Sequence, residues 1–406
     1  MIGSLYSGIS GLKANTSAMA VIGDNIANVE TTGFKASKVA FANVFNATLG
    51  QSRLQIGRGV TMSGTSSNWN AGTLQNTENV TDLAINGKGM FIVRDANDNA
   101  QYYTRAGKFE FDRSRRLVTP DGLVVQGYEL DSSGALGSFG NITLPSGMNQ
   151  PQATDTLTMN LNLDASASNG DTYDTTITVY DSLGNAVDLS FNFTKTSSGW
   201  DWYVTSSEGS ATPSSSSPYS LAFTTSGALD PANSTPASSN PTISVTGLSG
   251  ADLSITWDYL DGTATDGSIT GYAGDSVKTA QTQNGYPTGM LQGVAVDDDG
   301  IFTALYSNGT MMPFARIALA DFANYSGLSK QGSNLYTSSL ISGQAVISPP
   351  NTAGVGGIAA NALEMSNVDL ASEFVELITT QRAFQANSKV ITTSDEVLSD
   401  LINIKR

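Results

Sequence analysis

The feature that most constrains this fold is a pair of helical stripes at opposite ends of an otherwise β-like chain. Residues 3–28 carry Leu5, Ile9, Leu12, Met19, Ile22 and Ile26. Steps of three and four place them on one helical face. Gly3, Gly8, Gly11 and Gly23 interrupt that stripe, each costing about 1 kcal/mol against Ala in a helix interior. The segment therefore predicts a helix that is marginal alone. Residues 366–404 predict a stronger one, with Leu370, Phe374, Leu377, Phe384, Ile391, Leu398 and Ile402 at steps of three, four and seven. Polar Gln381, Ser388 and Asp395 occupy the skipped heptad positions, as expected of a seam whose register must be held. Ser366 with Asp369 predicts a capping box. The middle of the chain offers no third helical stripe, so neither end finds a further partner there. Two helices alone leave apolar surface uncovered, which marks an interaction site. An ordinary helical hairpin inside a monomer core is the alternative.

Between the stripes the pattern changes. From Gly33 to Thr77 it is irregular and predicts extended or loop-like chain. "LAINGKGMFIV" predicts two strands of a hairpin turning at Asn86-Gly87. Further turns are expected at Pro120-Asp121-Gly122, Asp181-Ser182-Leu183-Gly184, Asp299-Gly300 and Asn308-Gly309. "PSSSSPYS" and "PANSTPASSNP" are low-complexity loops. The order helix, β, inserted β, β, helix predicts nested domains with the chain ends together.

Composition narrows the function. The chain has 406 residues and a net charge of −16, which disfavours nucleic acid and anionic membranes as partners of the bulk surface. It contains no cysteine and no histidine. Disulfides, thiolate or imidazole metal sites and His-based triads are thereby excluded. No apolar run approaches the roughly 20 residues of a membrane span, and no basic-then-apolar segment opens the chain, so neither membrane insertion nor a cleaved signal peptide is expected. A carboxylate pair for glycoside hydrolysis stays open, but no catalytic constellation emerges. No enzyme activity, cofactor or metal is expected. "VDDDG" lacks the closing Glu of a calcium loop and predicts a turn. Gly87 and Gly89 have no helix behind them to cradle a phosphate. Arg113, Arg115 and Arg116 form a basic cluster. It reads as a solvated turn, or alternatively as intersubunit ion pairs with Asp297, Asp298 and Asp299. Trp200 and Trp202 share one strand face, read as core packing, with a carbohydrate platform as the sharper alternative.

Longer stretches carry a resemblance. "SGISGLKANTSAMAVIGDNIANVETTGFK" and "SNVDLASEFVELITTQRAFQANSKVITTSDEVLSDLINIKR" resemble the terminal signatures of the bacterial flagellar rod–hook axial family. "DLAINGKGMFIV", "YTRAGKFEFD" and "YSNG" resemble its shared β domain, and "VYDSLGNAVDLSFNFTK" is similar to the inserted domain of its hook branch. The resemblance implies a multidomain, mainly β fold with α-helical termini. Residues 1–32 with 366–406 would pair as an inner coiled-coil domain. An extended linker region, 33–78, would pack near it. Residues 79–144 with 285–365 would form a middle β domain, and 145–284 an outer one. "NIAN" would end the first helix, with Asn25 and Asn28 in the signature turn. Gly33 and Phe34 would lead into the next layer. The terminal stripes would line the inner wall of a self-assembled, curved helical tube, the hook, acting as a universal joint between rod and filament. Implied partners are other copies of the chain, the distal rod, hook cap and hook–filament junction proteins, and the flagellar type III export apparatus. The implied location is extracellular, after export without cleavage. The shorter distal-rod branch lacks a large outer domain and is one alternative. A secreted β-rich adhesive or carbohydrate-binding protein is another, which the helical ends do not suit.

Overall fold

The computed structural model describes residues 2–44, 59–131, 133–260 and 268–404. Two long helices, α1 (Ile2–Ala27) and α2 (Leu370–Ile404), bracket a chain of short strands. The fold is mainly β with helical termini. Two compact units account for it. The first comprises Met1–Pro145, Val294–Ala304 and Met312–Arg406; the second comprises Ser146–Gly293 and Leu305–Met311.

In the first unit, the region expected to be loop-like holds an antiparallel pair, β1 (Ser37–Asn43) and β2 (Val60–Ser67). This ribbon packs on α1. It corrects the expectation that nothing between the two helices would partner either of them. The ribbon was hidden because "VTMSGTSS" alternates weakly and its partner strand lies well upstream in the chain. Strand β3 (Leu74–Asn76) pairs with Ala362–Glu364, just before α2.

The predicted hairpin at Asn86-Gly87 does not form. Strands β4 (Leu83–Asn86) and β5 (Met90–Arg94) leave that corner for different partners. Strand β4 pairs with Gly357–Ala360, in register from Asn86↔Gly357 to Leu83↔Ala360. Strand β5 pairs with Gln101–Thr104, Val124–Leu130 and Leu319–Asp321. Gly87 and Gly89 have φ of +126° and +123°, and a β-carbon on Gly87 would lie 2.9 Å from the Gly356 Cα. The glycines permit a close crossing between sheets here rather than a two-residue turn. The core beneath includes Leu83, Ile85, Phe91, Val93, Phe302 and Leu319, all essentially unexposed.

The second unit has a five-stranded and a six-stranded sheet whose inward residues form one core. Strict alternation in Thr172–Tyr180 and Ala186–Lys195 sends every second residue inward, the period-2 rule of a half-buried strand. These strands meet at the predicted Asp181–Gly184 turn. Gly184 adopts φ +84° there, and the Asp181 carboxylate accepts from the backbone N–H of Leu183 and Asn185. Trp200 and Trp202 both point into the core, and Trp202 meets Trp257 edge-on at 4.7 Å. Buried indoles leave no carbohydrate platform at these two positions.

Candidate assembly surface

Helices α1 and α2 pack along their lengths, but the face α1 buries is not the large-residue stripe. Gly8, Gly11, Ala14, Ala18, Ile22 and Asn25 are its buried positions. Leu5, Leu12, Met19 and Ile26 are half-buried on the flanks and Ile9 is exposed. A β-carbon on Gly11 would sit 2.8 Å from the Asn387 side-chain amide, and one on Gly8 would sit 3.0 Å from Ile391 Cγ1. Two of the glycines that weaken the isolated helix therefore let the helices approach closely. On α2 the half-buried seam is Leu377, Thr380, Phe384, Asn387, Ile391, Ser394 and Leu398. The polar seam positions are Thr380, Asn387 and Ser394. The expected Gln381 and Asp395 are exposed, and Ser388 lies half-buried beside the seam. The shift by one residue follows from the opposing surface, because a Gly/Ala face accepts a polar side chain such as Asn387. Leu370 and Phe374 are exposed. Ile402 lies on the α2 backbone, with its side chain outside the described residues.

The start of α2 also differs from expectation. Asp369, not Ser366, is the capping residue. Its carboxylate accepts from the Ala371 N–H at 3.0 Å and the Ser372 hydroxyl at 2.9 Å. The hydroxyl of Ser372 holds the Asp369 carboxyl below its ordinary range, helped by the backbone N–H groups of Ala371 and Ser372. Ser366 instead accepts from the Val368 N–H, one turn too early to cap the helix.

Below the seam, hydrogen bonds tie both helices to the ribbon. The Asn25 amide donates to the Ser37 carbonyl at 2.8 Å and to Glu373 Oε1 at 3.1 Å, and its oxygen accepts from the Ser37 N–H at 2.9 Å. Glu373 Oε2 has no partner among the described residues. Burial pushes the Glu373 carboxyl above its ordinary range, partly offset by Asn25. Asn28 follows the last residue of α1, and its amide donates to the Asp24 carbonyl and carboxylate at 2.8 and 3.0 Å. The Asp24 carbonyl also accepts from the Asn28 backbone N–H at 3.1 Å, so the side chain reinforces the last turn of the helix. Gly33 turns with φ +69°, and a β-carbon there would lie 2.5 Å from the Ala106 nitrogen. Phe34 is buried, with Lys330 Nζ 6.0 Å from its ring centroid.

A charge cluster that the sequence reading missed completes this junction. Glu364 is 0% exposed, Lys35 1% and Arg105 5%. Glu364 Oε1 accepts from Lys35 Nζ at 2.6 Å and from the Gly72 N–H at 2.9 Å; Oε2 accepts from Arg105 at 3.0 Å. Lys35 also donates to the Asn70 carbonyl, and Arg105 to the carbonyls of Ile85 and Gly87. Burial pushes the Lys35 ammonium down in pKa, against the pull of Glu364. Three charges from distant segments thus meet where the chain leaves α1 and approaches α2. A charged residue inside a β-like stretch was the one available signal, and it does not reveal burial by itself.

Within one chain, the groups proposed for ion pairs between copies do not meet one another. Arg116 pairs with Asp112 in its own turn at 2.8 Å. The Asp297 carboxylate accepts from the N–H of Asp299 and Ile301. Asp299 faces Arg316 at 3.7 Å and accepts from Asn351 at 2.8 Å. Local turn bonds and a cation from the adjoining strand thus engage these groups within the chain. Arg113, Arg115 and Asp298 are exposed. Away from its seam, α2 exposes an apolar cluster at its start, Phe374, Val375 and Ile378, and single valines further along, Val390 and Val397; no described element covers them.

Four family models match successive parts of the chain. They are "Flagella basal body rod protein" over residues 5–35, "Flagellar hook protein FlgE/F/G D1 domain" over 84–162, "Flagellar basal body protein FlaE D2 domain" over 143–286, and "Flagellar basal body rod FlgEFG protein C-terminal" over 359–404. The flagellar hook protein FlgE of Escherichia coli is 34% identical over 419 residues, covering 98% of each chain. That of Borreliella burgdorferi is 32% identical over 450 residues, covering 100% of each. The crystal structure of the Helicobacter pylori flagellar hook protein FlgE2 shares the fold, with a TM-score of 0.53 at 16% identity over 72% of this chain and 100% of that one. Similarity of this degree along the whole length, with matching models for both helical ends and the β regions between, means that the chain belongs to the flagellar hook protein FlgE family.

Proposed function

We propose that this chain is the structural protomer of a bacterial flagellar hook. Copies assemble into a curved helical tube that transmits torque from rod to filament as a universal joint, without enzymatic turnover. The observation that carries the reading is the bare apolar face at the start of α2, Phe374, Val375 and Ile378, beside a seam already filled by α1. In the tube, residues 1–32 with 366–406 form the inner coiled-coil layer and neighbouring copies cover that face. Leu5, Ile9, Leu12, Met19, Ile22, Ile26, Leu370, Phe374 and Ile402 join the seam residues in the inner wall. Residues 79–144 with 285–365 form the middle layer. Residues 145–284 form the outer one and tune curvature through hydrated polar contacts, which hold without locking a geometry. Arg113, Arg115 and Asp298 stay available for ion pairs between copies. The chain leaves the cell through the flagellar type III apparatus without signal cleavage and adjoins the distal rod, hook cap and hook–filament junction proteins.

The test is polymerisation of the purified protein with Phe374→Asp and Ile378→Asp combined. Both side chains are exposed, so the monomer should keep its fold by circular dichroism. Burying two unpaired charges in every intersubunit contact costs several kcal/mol, so tubes seen by electron microscopy should vanish. Normal tubes from this variant would reject the helix face as the assembly surface.

A further inference from the structure

The loop at residues 338–343 holds two apolar side chains in water on a closely hydrogen-bonded backbone. Leu340 is 104% exposed and Ile341 74%. Beneath them the backbone is closely tied. The Ser339 N–H donates to Ser342 Oγ at 2.8 Å, and the Ile341 and Ser342 N–H donate to Ser339 Oγ at 3.0 and 3.2 Å. The Ser339 hydroxyl donates to the Gly327 carbonyl at 2.6 Å and the Ser342 hydroxyl to the Ser339 carbonyl at 3.0 Å. Ser342 is completely buried. A β-carbon on Gly327 would lie 2.5 Å from the Ser342 nitrogen, so the loop lies flat on the residues under it. The loop is a built knob, and presenting it to a partner requires little further ordering.

The charge content of this stretch of chain points to the partner. Between Asp321 and Glu364 the chain carries no carboxylate and a single cation, Lys330. That cation is engaged by the Ser37 hydroxyl at 2.7 Å and by the Phe34 ring. The chain as a whole has a net charge of −16. Two copies approaching through most of their surface repel each other, whereas an uncharged segment lets them meet without that penalty. An anionic membrane is a poor occupant for the same knob, because the acidic bulk of the chain would be repelled.

We propose that Leu340 and Ile341 form an intersubunit knob that docks on a second copy of this chain, apart from the terminal helices. The contact is heterologous, knob to a different surface of the next copy, the kind that propagates along a helix instead of closing a dimer. This rests on the hook reading, and the experiment separates the two.

Wild type and the double variant Leu340→Ser/Ile341→Ser are polymerised side by side. A photo-crosslinking amino acid at position 340 is examined in assembled wild-type tubes. The monomer fold of the variant is checked by hydrogen exchange, since neither side chain is buried within the chain. Losing burial of two large aliphatics should raise the critical concentration roughly tenfold or more. Position 340 should crosslink to a neighbouring copy at residues other than 338–343. Unchanged critical concentration, or only intramolecular crosslinks in intact tubes, would overturn the knob and leave the hook reading standing. Failure of the wild-type chain to form tubes would instead reject the hook reading and the knob with it.

Discussion

Glu364→Gln probes the buried charge junction directly. Its carboxylate is the one anion between Lys35 and Arg105, none of the three is more than 5% exposed, and three donors converge on its two oxygens. The amide keeps the volume and one acceptor but removes the charge. That oxygen can serve only one cation as before; the other keeps its carbonyl partners alone, Asn70 for Lys35 or Ile85 and Gly87 for Arg105, and faces the amide NH2. Removing one partner of a buried ion pair costs about 3–5 kcal/mol, because the remaining charge stays desolvated. Total stabilities of about 5–15 kcal/mol make this a large fraction of the first unit. Hydrogen exchange of the monomer reads it by segment. A loss of about 3 kcal/mol corresponds to a hundredfold or greater rise in exchange through global opening of residues 83–93. Residues 187–193 lie in the core of the second unit and should exchange as in wild type. Adding Lys35→Met removes one stranded cation and should recover part of the loss. A change below about fivefold in residues 83–93 would mean that water reaches the cluster, and the desolvation argument would be wrong.

Two further substitutions test the helix junction. Burial holds the Glu373 carboxyl above its ordinary range, so the folded state binds that proton more tightly than the unfolded one. Stability contributed by this residue is therefore greatest at low pH and falls as pH rises from the ordinary carboxylate range through the raised value. Glu373→Gln should be more stable than wild type at pH 7, with the difference disappearing at the acid end of the window. Parallel urea midpoints for the two proteins across that range would refute it. Gly11→Leu forces a side chain into the space of the Asn387 amide and should cost about 1–3 kcal/mol of overpacking, despite the gain in helix propensity. A thermal midpoint equal to or above that of wild type would show that the seam is not closely packed there.

Much of the plan was legible because it is written locally. Steps of three and four marked both helices, and period-2 alternation marked the strands of the second unit. Asp181–Gly184, Asp299-Gly300 and Asn308-Gly309 all turn where expected, with Gly184, Gly300 and Gly309 at positive φ. Family membership was legible in the terminal stretches. The misreadings of strand pairing share a cause, in that each depended on a residue far away in the chain. Asn86-Gly87 has the composition of a hairpin, yet Gly357–Ala360 competes successfully for β4. The stretch 60–67 has no strong pattern, yet it pairs with β1 and covers α1.

The sequence by itself determined where the two helices, the strongly alternating strands and most turns form, because backbone propensity and turn chemistry act within a few residues. Tertiary structure decided which face of α1 is buried. The large residues Leu5, Ile9 and Leu12 dominate any periodic reading, but Gly8, Gly11 and Ala14 allow the backbone of α2 to come close, and dispersion falls off steeply with separation. It also decided the role of Lys35, Arg105 and Glu364. A charge is read as exposed until its partners are known, and desolvation is set by everything packed around it rather than by its neighbours in the chain.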